Sequence, residues 1–416
     1  MNTQKRVVIT GLGAVTPLGN DMDTTWHNLI NGVCGIDTIT AFDVSNLPTK
    51  IGGQVKDFNP TEYMSTKSAR RMGRFIQLAT SATYQAIADS RLDLSKEDST
   101  RIGLEIGSAL GGLTTIEEQS IRLHEKGYRR VNPSLVPSTL INMAVCFLAI
   151  DLNIQGPTKS SVLACATGIV SIGEAMRQIA WGDADVMLAG STESAMTPLF
   201  FVGFYRVGAL SRRMDTPHQS LMPFDINRDG TVIGEGASVL VLESLSHARA
   251  RNAKILAEIV GYGLTHDAYN IAAPCPDGNG AVRAMQRALQ SANLSPSKID
   301  YISAHGTGTP HNDLAETIAI KTVFADYAYN VPISSTKGMT GHMMGTSGAL
   351  ACASVVKAMN TNIIPPTFGL SQPDPKCDLD YVPNKARQHA VQYGMVNAFG
   401  FGGQNASLIL KLVEGK

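Results

Sequence analysis

Residues 164–186 read ACATGIVSIGEAMRQIAWGDADV, and residues 340–366 read TGHMMGTSGALACASVVKAMNTNIIPP. Each places a small-residue turn in front of a helical pattern. Ile169, Ile172, Met176 and Ile179 form the apolar stripe of the first; Leu350, Val355 and Met359 form that of the second. One reactive side chain, Cys165 or His342, stands at each helix entry. Two such units in one chain read as a duplicated βαβ-rich half, the alternative being chance likeness between two ordinary α/β helices.

The sequence around them supports a layered α/β fold. RVVITGLGAVTP (6–17) and RIGLEIGSALGGL (101–113) are strand-like runs that end in glycine. DADVMLAGSTES (183–194) and SVLVLES (238–244) are two more, and a long loop around RDGTVIGEG (228–236) lies between them. A second round starts at ILAEIVGYGLTHDAY (255–269) and continues through KIDYISAHGTGTP (298–310), VPISSTKGMTGHMMG (331–345) and AVQYGMVNAFGFGGQNASLILKLV (390–413). The expected division is 1–255, carrying Cys165, and 256–416, carrying His305, Lys337, His342 and the GFGG loop. A chain of 416 residues exceeds the size at which one core keeps growing, which agrees with two halves.

Composition narrows the class. Apolar residues make up 44% and charged residues 17%, which suits a large buried core and opposes wholesale disorder. Lys+Arg and Asp+Glu are both 35, so no global charge draws the chain to nucleic acid. Locally, Lys67, Arg70, Arg71 and Arg74 recur at helical spacing, suited to an acidic partner or simply a solvated helix face. The six cysteines (34, 146, 165, 275, 352 and 377) show neither CxxC spacing nor disulfide-framework density, as expected of reduced thiols in the cytoplasm. MNTQKRVVITGLG has no signal-peptide pattern, and no apolar stretch is long enough to insert in a membrane.

Four strings carry chemistry. In SSVLACATGIVSIGEAM (160–176), a β-branched run gives way to a helix at Cys165. A thiol at a helix N-terminus meets unpaired N–H groups and the positive dipole end, which favours thiolate. Its own backbone N–H is placed to hold an oxyanion; a buried structural cysteine is the bland alternative. In YISAHGTGTPHNDLAE (301–316), a strand delivers His305 into a Gly-Thr loop ahead of an amphipathic helix. Thr307 and Thr309 offer hydroxyls to the amides of an extended polar arm, whereas His311, beyond Pro310, faces solvent. In ISSTKGMTGHMMGTSGA (333–349), Lys337 and His342 share a glycine-rich entry to a helix, where the dipole disfavours imidazolium. Lys337 adds positive charge or is held by Glu316; the spacing does not match a phosphate loop. In NAFGFGGQNASLIL (397–410), Gly400, Gly402 and Gly403 permit positive φ and close approach around Phe401, whose N–H is a second oxyanion donor.

Taken together, these strings resemble the β-ketoacyl-[acyl carrier protein] synthases of the elongating type II group, from VVITGLGAVTPLG to FGFGGQNASLIL. The resemblance implies a thiolase-like, duplicated αβαβα fold and a homodimer or a heterodimer with a ketosynthase-like subunit. It implies acyl transfer from acyl carrier protein to Cys165, then decarboxylative condensation with malonyl-carrier protein. On this pattern His305 and His342 assist decarboxylation, and Lys337 organises the site with Glu316 as its ion-pair partner. Phe401 gates the acyl pocket and shares the oxyanion hole with Cys165, while Thr307 and Thr309 hold the pantetheine. Leu110 limits pocket depth and Phe204 is a second gate. No bound cofactor or metal is implied; the 4'-phosphopantetheine arrives on the carrier protein.

Departures from the pattern are specific. Ala351 stands where bacterial type II enzymes carry glutamate, Gln404 replaces a threonine, Ala272 and Ala273 replace hydroxyls beside the pantetheine channel, and Arg206 is displaced. They suit a specialised polyketide or polyene ketosynthase as well as a fatty-acid enzyme. Met143 and Phe147 in INMAVCFLAI (141–150) suit core packing or a dimer interface. A thiolase would need a second cysteine in a C-x-G motif, and GFGGQN occupies that region. A non-catalytic chain-length subunit would lack the nucleophile.

Overall fold

In the computed structural model, which describes residues 4–413, the run VVITGLGAV forms strand β1 (Val7–Val15), buried along its whole length. Nine further strands join it: β2 (Ile102–Gly107), β3 (Thr158–Lys159), β4 (Val186–Glu193), β5 (Gly236–Ser244), β6 (Ala257–His266), β7 (Tyr301–Ser303), β8 (Ile333–Ser334), β9 (Tyr393–Gly400) and β10 (Gln404–Lys411). Their order is β3-β2-β4-β5-β1-β6-β10-β9-β7-β8. β1 and β6 meet antiparallel over a short seam, Val7 to Ile259 and Ile9 to Ala257. Outward from that seam both halves follow one plan. β1-β5-β4 and β6-β10-β9 are antiparallel, and the outer β4-β2-β3 and β9-β7-β8 are parallel. The expected duplication is thus visible as repeated topology.

Seven helices complete the layers: α1 (Arg74–Ser90), α2 (Met143–Asp151), α3 (Thr167–Trp181), α4 (Pro198–Val207), α5 (Asn279–Ala292), α6 (Pro310–Phe324) and α7 (Gly345–Thr361). α1 and α2 cover one outer face through Phe75, Leu78, Ala82 and Leu148 against Leu104, Leu188 and Val241. α5 and α6 cover the other through Met285, Ile320 and Phe324 against Ile302, Met395 and Ile409. α3 and α7 lie between the halves. Ile169, Ile172, Ile179, Leu350, Val355 and Met359 share one buried cluster with Leu240 of the first half and Leu408 of the second. This is the thiolase-like α/β/α/β/α layering.

The repeat extends to side-chain size. Gly11 and Gly13 on β1 lie under α1, where an added Cβ would come within 2.3 Å of Ala86 O and 1.9 Å of Ala82 O. Gly261 and Gly263 on β6 lie under α5, with Ala288 O at 2.4 Å and Ala284 O at 2.1 Å. GLG and GYG therefore do one job, letting a helix backbone settle on a strand.

Three expectations change. The β-branched run before Cys165 keeps strand geometry only at β3, and a short 3-10 turn, Ala164–Ala166, leads into α3. Helix α6 is buried on several sides rather than amphipathic, with Asn312, Asp313, Glu316 and Thr317 all inside. The four cations at 67–74 do not share one helix face. Lys67 lies on a four-residue helix, Thr66–Ala69, and Arg74 opens α1 with its guanidinium on Glu235 at 2.9 and 2.8 Å. Met143 and Phe147 are half-buried against the outer core. Among the described residues, no helix is long and apolar enough to cross a membrane.

Candidate active site

The N-termini of α3 and α7 touch. A Cβ on Gly168 would sit 2.5 Å from Gly345 O and 2.6 Å from Ala349 N, so only glycine lets the two central helices converge there. Cys165 precedes one and His342 the other, and His342 Nε2 lies 3.0 Å from Cys165 Sγ. The turn carrying Cys165 is strained, with Ala164 at φ +47°. Thr167 latches it: Oγ1 accepts from Leu163 N at 2.8 Å and donates to Ala164 O at 2.8 Å.

His305 follows β7 and faces His342, with ring centroids 5.5 Å apart at 82°. Both rings are buried, and no carboxylate contacts either. Their pKa values lie well below the ordinary imidazole range. For His342 the causes are burial and then the Lys337 charge; for His305 they are burial, Lys337 and then His342. Burial, more than the helix dipole expected from the sequence, keeps the imidazoles neutral. Neutral rings serve as hydrogen-bond donors. Among the described residues, buried His305 Nδ1 has no hydrogen-bond partner.

Lys337 and Glu316 do not pair directly. Lys337 Nζ donates to the carbonyl of His305. Glu316 instead accepts from the backbone N–H groups of His305 and Gly306, both at 2.8 Å. Two adjacent amides outcompete one lysine because they satisfy both carboxylate oxygens without further chain entropy. Each residue thereby holds the His305 backbone from a different side. Burial pushes Lys337 below the ordinary amine range, with Glu316 opposing, and pushes Glu316 up.

The helix-entry position does not make Cys165 a resting thiolate. Burial raises its thiol to about 11, against the lowering effects of Lys337 and the Phe401 backbone N–H. The Phe401 and Cys165 backbone N–H groups are near enough to the sulfur to favour its charged form. Phe401 lies in the tight turn between β9 and β10, where Gly402 and Gly403 have φ of +82° and +81°. Gly400 does not have positive φ; its part is close approach, since a Cβ would lie 3.0 Å from Leu163 O and 3.1 Å from Cys165 N.

A cavity of about 330 Å3 opens onto Cys165, His305 and His342, lined also by Phe204, Thr307, Thr309, Phe399, Gly400 and Phe401. The Phe401 and Phe204 rings stack at 5.6 Å and 7° across it. Thr307 Oγ1 and Thr309 Oγ1 are 3.0 Å apart, and Asp313 steadies their loop by accepting from Thr307 N and Gly308 N. Exposed His311 stands at the mouth with Ala272 and Ala273. Leu110 is not a lining residue of this cavity; it packs on the apolar cluster behind Cys165 with Phe201, Ile233 and Met344. Arg206 is exposed on α4, and Ala351 is buried in the central layer. Cys377 lies in the outer core against Asp313 O, away from the cavity lining.

Glu193 and Ser347 carry no local signal in the sequence. Glu193, at the end of β4, is fully buried and takes donors from Ser108 Oγ, Ala109 N, Leu110 N and Gly345 N. Ser347 Oγ lies 3.2 Å from His342 Nδ1. Sγ and the ring nitrogens of the two histidines lie within 4.8 Å of one another, a set that also suits a soft cation. The His342–Sγ contact and the strained turn at Ala164 also suit an activated nucleophile.

Comparison with known proteins gives the family. Residues 4–248 match the family model "Beta-ketoacyl synthase, N-terminal domain" and residues 256–371 match "Beta-ketoacyl synthase, C-terminal domain". The chain is 47% identical to the 3-oxoacyl-[acyl-carrier-protein] synthase 2 of Synechocystis sp., covering 98% of both chains. It is 46% identical to that of Coxiella burnetii, covering 99% of both. Among solved structures, the ishigamide ketosynthase/chain length factor aligns with TM-score 0.93 at 33% identity, over 99% of this chain and 100% of that one. A beta-ketoacyl synthase from Burkholderia phymatum aligns with TM-score 0.91 at 36% identity, with the same coverage. A type II PKS acyl-carrier protein in complex with its ketosynthase bound to the hexaketide supplies a third match, TM-score 0.91 at 32% identity, with that coverage again.

Proposed function

The chain belongs to the beta-ketoacyl synthase family, and from that premise we propose that Cys165 is the acyl carrier and His305 and His342 the enolate-stabilising donors. Its activity is that of a 3-oxoacyl-[acyl-carrier-protein] synthase, an acyltransferase of fatty-acid or polyketide elongation. In the first step Sγ attacks the thioester carbonyl of an acyl-carrier protein. The oxyanion rests on the amide N–H groups of Cys165 and Phe401, the carrier's pantetheine thiol leaves, and the Cys165 proton goes to that leaving sulfur. In the second step malonyl-carrier protein loses CO2, and the electron pair of the broken C–C bond becomes an enolate. Imidazole N–H groups of His305 and His342 hold its oxygen. The enolate carbon attacks the Cys165 thioester, and the C–S bond breaks to release 3-oxoacyl-carrier protein.

The observation that carries this reading is the 3.0 Å approach of His342 to the buried sulfur of Cys165. Carbanion chemistry driven by CO2 loss needs charge stabilisation rather than a strong base, and neutral buried imidazoles suit that task. Thr307 and Thr309 at the mouth are placed for the amides of a pantetheine arm, and Phe401 stacked on Phe204 for gating the acyl side. Acyl carrier protein is the partner that this chemistry requires, and the reading includes a dimer with a second ketosynthase-like chain. It also includes a division at 255/256, beside the β1–β6 seam, and a cytoplasmic setting, in keeping with six free thiols.

A second reading, the active subunit of a type II polyketide or polyene heterodimer, is favoured by the likeness to the ishigamide ketosynthase/chain length factor. Mass spectrometry after incubation with acyl-carrier protein tests the mechanism. Acylation is expected at Cys165, and transfer that survives Cys165→Ala would sink it. His305→Ala and His342→Ala are expected to retain acylation and lose malonyl decarboxylation. Full condensation activity in both variants overturns the assigned roles. Adding chain-length-factor-like partners to the assay separates the heterodimer from the self-sufficient enzyme.

A further inference from the structure

The string that ends β4 carries a carboxylate that none of the steps above uses. Glu193 is entirely buried, and its two oxygens are shared between two distant parts of the chain. Oε1 accepts from Ala109 N at 2.6 Å and from Gly345 N at 3.3 Å. Oε2 accepts from Ser108 Oγ at 3.0 Å and from Leu110 N at 3.3 Å. Ser108 Oγ in turn accepts from Gly111 N at 2.9 Å, so the whole 108–111 turn is folded around one carboxylate. The other attachment, Gly345 N, is the first residue of α7, directly after the His342 segment.

We infer that Glu193 is a positioning residue that pins the turn bearing Leu110, which packs on the apolar cluster containing Cys165, to the start of α7, and so sets the chain length that Cys165 accepts. Leu110 packs on the apolar cluster that contains Cys165, with Met344 from the α7 side and Phe204 from α4. An acyl group entering behind the sulfur must displace side chains of that cluster. A turn free to shift would give way to long chains; a turn held by three donors to a carboxylate that a fourth ties to α7 would not. A buried carboxylate that accepts several hydrogen bonds is a stiff anchor, because releasing any donor leaves a buried polar group unpaired. Glutamine cannot replace it, since its NH2 would oppose one pair of donors.

The inference rests on Cys165 being the acyl carrier, and the test separates the two claims. A graded series of saturated acyl-carrier proteins is offered to the wild type, Glu193→Gln, Ser108→Ala, Leu110→Ala and the Glu193→Gln/Leu110→Ala double variant. Acylation of Cys165 is read by mass spectrometry as the ratio of long to short chains. Glu193→Gln is expected to raise that ratio roughly tenfold, Ser108→Ala to raise it by less, and Glu193→Gln to add nothing once Leu110 is alanine. A uniform loss at all lengths, an unchanged ratio, or an equal shift in the Leu110→Ala background overturns the role of Glu193 while leaving Cys165 in place. A wild type that takes no acyl group at Cys165 overturns the function reading and this inference together. Ser108→Ala removes only a hydroxyl, so it carries the comparison if Glu193→Gln does not fold.

Discussion

His342 Nε2 lies 3.0 Å from Cys165 Sγ although the two residues are 177 positions apart. The other ring nitrogen fixes what the first can do. Ser347 Oγ accepts from Met343 N at 2.9 Å, which leaves its hydrogen for His342 Nδ1 at 3.2 Å. With that hydrogen donated, Nδ1 is the acceptor and Nε2 carries the proton toward the sulfur; with the opposite tautomer Ser347 Oγ accepts from both. In the first tautomer His342 is a donor from the outset, and that is the form the proposed reaction uses.

Ser347→Ala removes the partner that sets this tautomer. CO2 release from malonyl-carrier protein is expected to fall roughly 10- to 100-fold, the usual cost of losing such an orienting hydrogen bond. Acylation of Cys165, which relies on the two amides, is expected to persist. Equal losses in both half-reactions would show that Ser347 supports the fold and not the tautomer.

Gly400→Ala tests the oxyanion hole through its backbone. The new methyl would meet Leu163 O at 3.0 Å and Cys165 N at 3.1 Å, so either the Cys165 turn or the Phe401 turn must shift. Displacing one oxyanion donor typically lowers kcat on the order of 100- to 1000-fold. Single-turnover acylation is the measurement, with thermal unfolding as the control for folding. Unchanged acylation would remove Phe401 N–H from the mechanism.

What the sequence makes legible follows from how local the signal is. The alternating strands and both helix entries are contiguous patterns and appear in the fold, although the run before Cys165 is mostly turn and the helix after His305 is buried on several sides. Glu193 was invisible because its donors lie 85 positions before it and 152 after it, and its string reads as an ordinary strand end. Lys337 and Glu316 looked like an ion pair because opposite charges are evident in sequence. That two consecutive amides would take the carboxylate depends on the turn after β7. The resting thiolate expected at Cys165 fails for a similar reason: the helix entry is local, while the burial that opposes it is made by α7 and the β9–β10 turn.

A pH-dependent clamp lies far from this site. His247 Nδ1 is 2.6 Å from Glu243 and Nε2 is 2.9 Å from Glu97, with Arg251 also on Glu243. The Glu243 hydrogen bond is the main cause that raises His247 to about 9, burial opposing and Glu97 adding. A folded-state value above the ordinary 6.5 means the histidine's contribution to stability is complete below about 6.5. It is lost as pH rises through about 9. Thermal unfolding across that window is expected to show the wild type losing stability faster than His247→Gln. Parallel curves would contradict the clamp.

The cations at 67–74 divide into two kinds, and substitution is expected to separate them. Arg74 Nη2 and Nε bind Glu235, whose side chain is fully buried and also accepts from Val55 N at 3.1 Å. Arg74→Ala leaves that carboxylate buried without its cation, a loss of about 3–5 kcal/mol, read as a lowered midpoint of denaturant unfolding. Lys67, Arg70 and Arg71 are exposed on the surface beside it. Charge reversal there, Lys67→Glu, Arg70→Glu and Arg71→Glu together, is expected to leave unfolding unchanged. It is expected to raise the KM for acyl-carrier protein at constant kcat, because an acidic carrier is attracted by long-range charge before it is bound. The difference from wild type should shrink as salt rises, since exposed charges more than roughly 10 Å apart are screened at ~0.1 M salt. A KM that does not move would mean the carrier approaches by another face, and the three cations are then only a solvated surface.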